Sequence, residues 1–152
     1  MDKKLEISML SLVFRIAIGL VLIVAGLSKL TSPPEEFSVV IQAYDIVSPA
    51  SALTLAALLP WLEVFLGFCL LFGFATKQAS IAAGLLLLSF LFALLSTKVR
   101  GIELPNCGCF GSSFHSSITE ASLMDALLLV CSFFSFHSGA KRFSLDAWAA
   151  GS

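Results

Sequence analysis

Charge is what this sequence has least of. Only 12% of its 152 residues are Asp, Glu, Lys or Arg, nine basic against ten acidic, for a formal net charge of -1. Soluble domains carry about twice that share, so the chain is not built to cover a water-facing surface. Without a basic excess it offers nothing to a nucleic-acid backbone, nor to an acidic substrate drawn by long-range attraction. Histidine occurs only twice. The one conceivable metal set, Cys107, Cys109 and His115, has three ligands at a spacing that matches closed structural zinc sites poorly. The long apolar runs also lack alternating polar positions, which excludes a membrane β-barrel.

What is present in excess is hydrocarbon, with 58% of residues hydrophobic. Four apolar runs, 8–30, 50–74, 77–97 and 119–137, are long enough or nearly so to cross a bilayer core, which takes about 20 helical residues. Backbone groups in lipid must be satisfied internally, so each run is expected to be a helix. The fold class is therefore all-α: an integral membrane antiparallel four-helix bundle, one domain over residues 1–152 with both ends on the same side. The first run follows Lys3 and Lys4 as a signal peptide would. It continues for about 20 residues without a small-x-small cleavage site, so it is read as an uncleaved first span.

The few charges inside these runs mark the polar interior. Arg15 lies two turns into the first span, and Lys29 sits at its far end, where it can snorkel to the interface. Glu63 lies in the second span within Leu59-Pro60-Trp61-Leu62-Glu63, four residues before Gly67, and should face inward. Asp125 lies two turns into the last span. The third span has no ionisable residue before Lys98 and Arg100 and reads as scaffold, with Gly84 allowing close approach. The first connection, 31–49, stops at Pro33-Pro34 and contains Glu35, Glu36 and Asp45 but no Lys or Arg. Its stretch 36–47 is amphipathic and suits the membrane surface.

A cytoplasmic N-terminus gathers Lys3, Lys4, Lys77, Lys141 and Arg142 on the inner face, with Lys98 and Arg100 running against the count. The connection 97–117 then lies on the outer side, where conditions allow thiols and disulfides to interconvert. With a rise of about 1.5 Å per residue, Arg15 and Glu63 both fall in the inner half and are expected to pair. Asp125 falls in the outer half, within reach of Lys29 or Arg100.

That outer connection holds Asn106-Cys107-Gly108-Cys109-Phe110-Gly111, shaped by Pro105, Gly108 and Gly111. Thiols separated by one residue close only a small, strained ring, and strain makes a disulfide easier to reduce. A static bridge there would close almost no loop and contribute little through chain entropy. Reversible exchange by Cys107 and Cys109 is the functional reading, with a static bridge or two ordinary loop thiols as alternatives. Lys98, Arg100 and the start of the last helix are placed to favour a thiolate. Cys69 and Cys131 lie inside spans, where packing is the ordinary role of a thiol and an electron relay the less ordinary one.

Several segments, Arg15 to Leu30 (RIAIGLVLIVAGLSKL), Leu59 to Gly67 (LPWLEVFLG) and Arg100 to Gly111 (RGIELPNCGCFG), followed by Asp125, resemble the MauE/DoxX group of redox-associated membrane proteins. The CGCFG segment points to its MauE-like branch. The resemblance covers nearly the whole chain. It implies a four-helix protein of the bacterial inner membrane, with the CGC connection facing the periplasm beside a thioredoxin-like protein and supporting disulfide formation in a secreted protein. The general plan is also similar to four-helix quinone-linked disulfide-forming enzymes, but their usual Cys-x-x-Cys is missing here. A quinone headgroup between helices, lined by Trp61, Phe65 and Phe68, is the cofactor this plan suggests. Arg15, Lys29, Glu63 and Asp125 then either handle protons or headgroup contacts, or simply pair to fix helix register. The reading that results is a thiol-disulfide redox protein, possible as an oxidoreductase in its own right. Its alternatives are a non-catalytic membrane subunit or chaperone that recruits a partner, and a quinone-linked oxidoreductase.

Overall fold

The computed structural model describes residues 3–102 and 118–138, including the side chains of 9–102 and 118–136. They form five helices: α1 (Lys3–Leu30), α2 (Pro34–Ala43), α3 (Pro49–Phe72), α4 (Thr76–Val99) and α5 (Ile118–Ser138). All except α2 are long and apolar enough to cross a membrane. The chain is thus an all-α, multi-pass membrane protein, as its apolar runs predict.

The ends of the helices follow from particular residues. Pro34 opens α2 with Glu35 and Glu36 in its first turn, where the helix dipole favours carboxylates. Ser48 caps α3, its Oγ accepting from the Ser51 amide at 3.4 Å, with Pro49 as the first helical residue. Gly73 ends α3 in the left-handed region (φ 69°), and the Phe74 amide closes back on the Cys69 carbonyl at 2.9 Å. Ala75 follows at φ 46° and starts α4.

α1 packs antiparallel on α3 through glycines. A methyl group at Gly26 would sit 2.7 Å from the Pro60 carbonyl oxygen, and one at Gly19 would sit 2.9 Å from that of Gly67. A methyl group at Gly67 would in turn sit 2.8 Å from the Gly19 carbonyl oxygen. The backbones touch, as small residues at membrane helix interfaces allow. α4 packs antiparallel on α5 through serines: Ser132 Oγ donates to the Ser80 carbonyl at 2.8 Å, and the Ser80 and Ser135 hydroxyls lie 3.3 Å apart. A methyl group at Gly84 would sit 3.3 Å from Ser132 Oγ, so the glycine allows the close approach expected of it. Contacts of α1 with α5 and sparser ones of α3 with α4 close the bundle.

The main core joins Ile18 and Leu22, Leu66 and Leu70, Ala83 and Leu87, and Leu128, one set from each spanning helix. Cys69 and Cys131 are free, half-buried and packed against it. The helix within 36–47 is α2, which starts at Pro34. It stops at Ala43 and buries Phe37 and Ile41 against Ala52 and Ala56 at the start of α3. The apolar side of its amphipathic pattern has found a helix to cover it.

Candidate functional site

Lys29 does not snorkel to the interface. A helical Cα–Cβ bond tilts toward the helix N-terminus, so this side chain at the C-terminal end of α1 runs back into the bundle. It is 4% exposed, and its Nζ donates to both carboxylate oxygens of Glu63, at 2.6 and 2.8 Å. The pair is buried on both sides. Two rings flank the ammonium, Phe37 of α2 and Phe90 of α4, each centroid 5.3 Å from Nζ. Rings at that distance place their electron-rich faces within reach of the cation.

Glu63 therefore pairs with Lys29 and not with the Arg15 that depth suggested. Helix register is the reason. Gly26 lies against Pro60 and Glu63, its Cβ position 3.1 Å from Glu63 Cβ. Arg15 is eleven residues earlier in α1, about 16 Å away along the axis. With Gly26 opposite Pro60, α3 begins well beyond the end of α1, so equal depth from the membrane surfaces does not bring Arg15 and Glu63 together. Arg15 is fully buried near the middle of α1, next to Phe14, whose ring centroid lies 6.0 Å from that of Phe134 of α5.

Asp125 is buried on α5 and lines a small cavity of about 70 Å³ that Glu63 also lines, together with Ala25 and Phe90. Three of the four charges singled out from the sequence, Lys29, Glu63 and Asp125, thus gather at one level of the bundle. Arg100, the other partner suggested for Asp125, turns to the α2–α3 connection. Its NH2 lies 2.6 Å from Asp45 Oδ2, and its NH1 donates to the carbonyls of Tyr44 and Asp45 at 3.1 and 3.4 Å. Asp45 adopts φ 53° there. This exposed clasp ties the C-terminal end of α4 to the far side of α2.

Beside the buried pair is a cleft of about 660 Å³ between α2, α3 and α4. Lys29, Phe37 and Phe90 form one end, and Tyr44, Leu59, Ser89 and Ala93 line the body. It exists because α3 and α4 touch sparsely while α2 leans on α3. Leu85, Leu88 and Phe92 at its rim are 64%, 51% and 68% exposed, so it opens sideways toward lipid. Trp61, Phe65 and Phe68, expected to line a headgroup pocket, do not: they are 64%, 62% and 44% exposed on the opposite face of α3. The sequence reading missed Phe37, Tyr44, Ser89 and Phe90. Phe37 and Ile41 on the apolar side of α2, and a lone Ser89 in an apolar helix, were the available signals.

Cys107, Gly108, Cys109, Phe110 and Gly111 lie outside the described residues, as does His115. The segment that holds them follows α4 and precedes α5 in the chain.

Residues 7–138 match the family model for methylamine utilisation protein MauE. A methylamine utilization protein MauE from Paracoccus denitrificans is 30% identical over 115 residues, an alignment that covers 76% of this chain and 61% of the relative. The chain thus spans less than two thirds of that relative's length. No solved structure matches it.

Proposed function

Because this chain belongs to the MauE family of methylamine utilisation proteins, we propose that it is the membrane-embedded redox component of such a system, with Cys107 and Cys109 as the exchanging pair. Four spanning helices and the family fit a membrane protein of methylamine utilisation. The observation that carries the finer reading is the Cys-Gly-Cys spacing in the polar connection 97–117. In exchange, a thiolate of the pair attacks a partner disulfide, forms a mixed disulfide and releases one partner thiol. The second cysteine then displaces the remaining partner sulfur. The pair leaves oxidised and the partner reduced; in the reverse direction a partner thiolate attacks the Cys107–Cys109 disulfide and leaves the partner oxidised, and no outside oxidant enters the exchange either way.

The partner in this reading is a periplasmic thioredoxin-like protein, and the disulfide finally appears in, or is corrected in, a secreted protein. The membrane is the bacterial inner membrane, with the CGC connection outward. The loop-charge count supports that orientation.

Replacing Cys109 by serine should trap the partner on Cys107, seen as a reducible higher-mass species whose attached protein mass spectrometry identifies. Replacing both cysteines by serine separates this reading from the second one, a non-catalytic subunit that recruits a partner. Loss of client disulfides with normal membrane levels supports exchange, whereas unchanged client disulfides would overturn it. The second reading draws on the buried Lys29–Glu63 pair, which can serve helix register alone.

A further inference from the structure

We propose that α4 and α5 form one arm, hinged on the turn 73–75 and held shut against α2 by the Arg100–Asp45 clasp, and that release of this latch opens the cleft at its Asp45 end. The inference stands on the backbone and packing around the cleft and does not depend on exchange at the CGC segment.

The bundle is built from two tight units with a loose seam between them. α1 and α3 lie backbone to backbone at Gly19, Gly26 and Gly67, and α2 is seated on α3 through Phe37 and Ile41. α4 and α5 are joined by the hydrogen bonds of Ser80, Ser132 and Ser135. Across the seam α3 touches α4 sparsely, and α2 touches it less. The cleft of about 660 Å³ occupies that seam. Close-packed units do not deform continuously, so a seam of this kind gives way by the motion of whole bodies. Contacts between α1 and α5 retain the arm as it turns.

The backbone marks the two points where α4 is attached. Among the described residues, only two other than glycine hold φ in the left-handed region, Asp45 at 53° and Ala75 at 46°. Ala75 is the N-cap of α4 and follows two residues after the left-handed Gly73 that ends α3. Asp45 is what the C-cap of α4, Arg100, grips through both carboxylate and carbonyl. A side chain makes such a backbone costly, and it persists only where the surroundings hold it. A few residues at the end of an element are where a hinge absorbs its change of φ and ψ.

The clasp is suited to release. Arg100 reaches Asp45 between two residues that line the cleft, Tyr44 and Ile46, and it also takes the Tyr44 carbonyl at 3.1 Å. Beside it Tyr44 packs against the cluster of Leu94 and Ala121. The paired side chains are 38% and 81% exposed, so salt screens them and an outside charge can compete for either one. The buried Lys29–Glu63 pair lies wholly within the first unit and survives the swing. With the latch off, Ser89 and Ala93 of the cleft come within reach of solutes entering at the Asp45 end.

The test uses the full chain in nanodiscs with its native cysteines replaced by serine. Spin labels at Val39→Cys on α2 and Leu95→Cys on α4, both exposed, report the opening by pulsed electron paramagnetic resonance. A second pair at Leu88→Cys and Leu127→Cys, on α4 and α5, reports the arm itself. Arg100→Ala should lengthen the first distance and leave the second unchanged. In a separate variant, the rate at which Ala93→Cys reacts with a water-soluble thiol reagent should rise about fivefold with Arg100→Ala, the factor that follows from losing an exposed ion pair at the upper end of its usual worth. Raising salt from about 0.1 M to about 1 M should move the protein with its clasp intact the same way, which decides the matter should Arg100→Ala not fold. A first distance that ignores both Arg100→Ala and salt, or an Ala93→Cys rate that does not rise, would overturn the latch. A second distance that lengthens along with the first would overturn the single arm.

Discussion

Lys29 and Glu63 are worth more together than either is alone. Leaving one partner of a buried pair without the other costs about 3–5 kcal/mol, whereas replacing both with apolar groups of similar size is often neutral. We expect Lys29→Met and Glu63→Leu each to lower the thermal stability of the purified protein sharply, and the double variant to recover most of the loss. Arg15→Met combined with Glu63→Leu should instead be additive within about 0.5 kcal/mol, since the two sites lie on different turns of the bundle. Strong coupling in that second pair would revive the match made from depth. Arg100→Ala should cost no more than about 1 kcal/mol, because its partner carboxylate is 81% exposed. That Glu63 faces inward was legible in the sequence, because a charge deep in a spanning helix has nowhere else to go; that Lys29 does was not, because its place at the end of α1 also suits snorkelling. Which charges would meet was not legible either, because partner choice depends on helix offset, and no residue count gives that.

At the level of the helix, the seam between α1 and α3 is the least forgiving surface in the molecule. Gly26→Ala drives a methyl to 2.7 Å from the Pro60 carbonyl oxygen, a backbone atom that cannot rotate away. The two helices must part, at a cost typical of overpacking, about 1–3 kcal/mol. Gly84→Ala meets only the Ser132 hydroxyl at 3.3 Å and should cost less; melting the two variants side by side checks the order. Glu63 in the second span was expected to face inward, and it does. The aromatic residues of that span misled, and lipid explains why: a bilayer is as apolar as a protein core, so Trp61 and Phe65 lose nothing by facing out. Small and charged residues, Pro60, Glu63 and Gly67, trace the inner face of α3 instead.

For the molecule as a whole, hydropathy alone predicted four spans and their order, because about 20 apolar residues in a helix have one stable setting in a membrane. The cleft was not legible. It arises where α2 seats on α3 and keeps α4 at a distance, an arrangement that depends on Phe37 and Ile41 finding Ala52 and Ala56. Orientation offers a prediction at this scale. In a variant whose four native cysteines are replaced by serine, Glu36→Cys should react with a membrane-impermeant thiol reagent in intact cells. Lys77→Cys should react only after permeabilisation. The reverse pattern would turn the bundle over and place the CGC connection inside.

The buried salt link has one more effect. A single charge carried across the full membrane works against about 2.3 kcal/mol for every 100 mV of potential. Lys29 and Glu63 hold opposite charges within 2.6 Å of each other, so whatever the field does to one it undoes to the other. An energised membrane exerts almost no net pull on this pair, and α1 and α3 keep their mutual register whether the cell's voltage is high or collapsed.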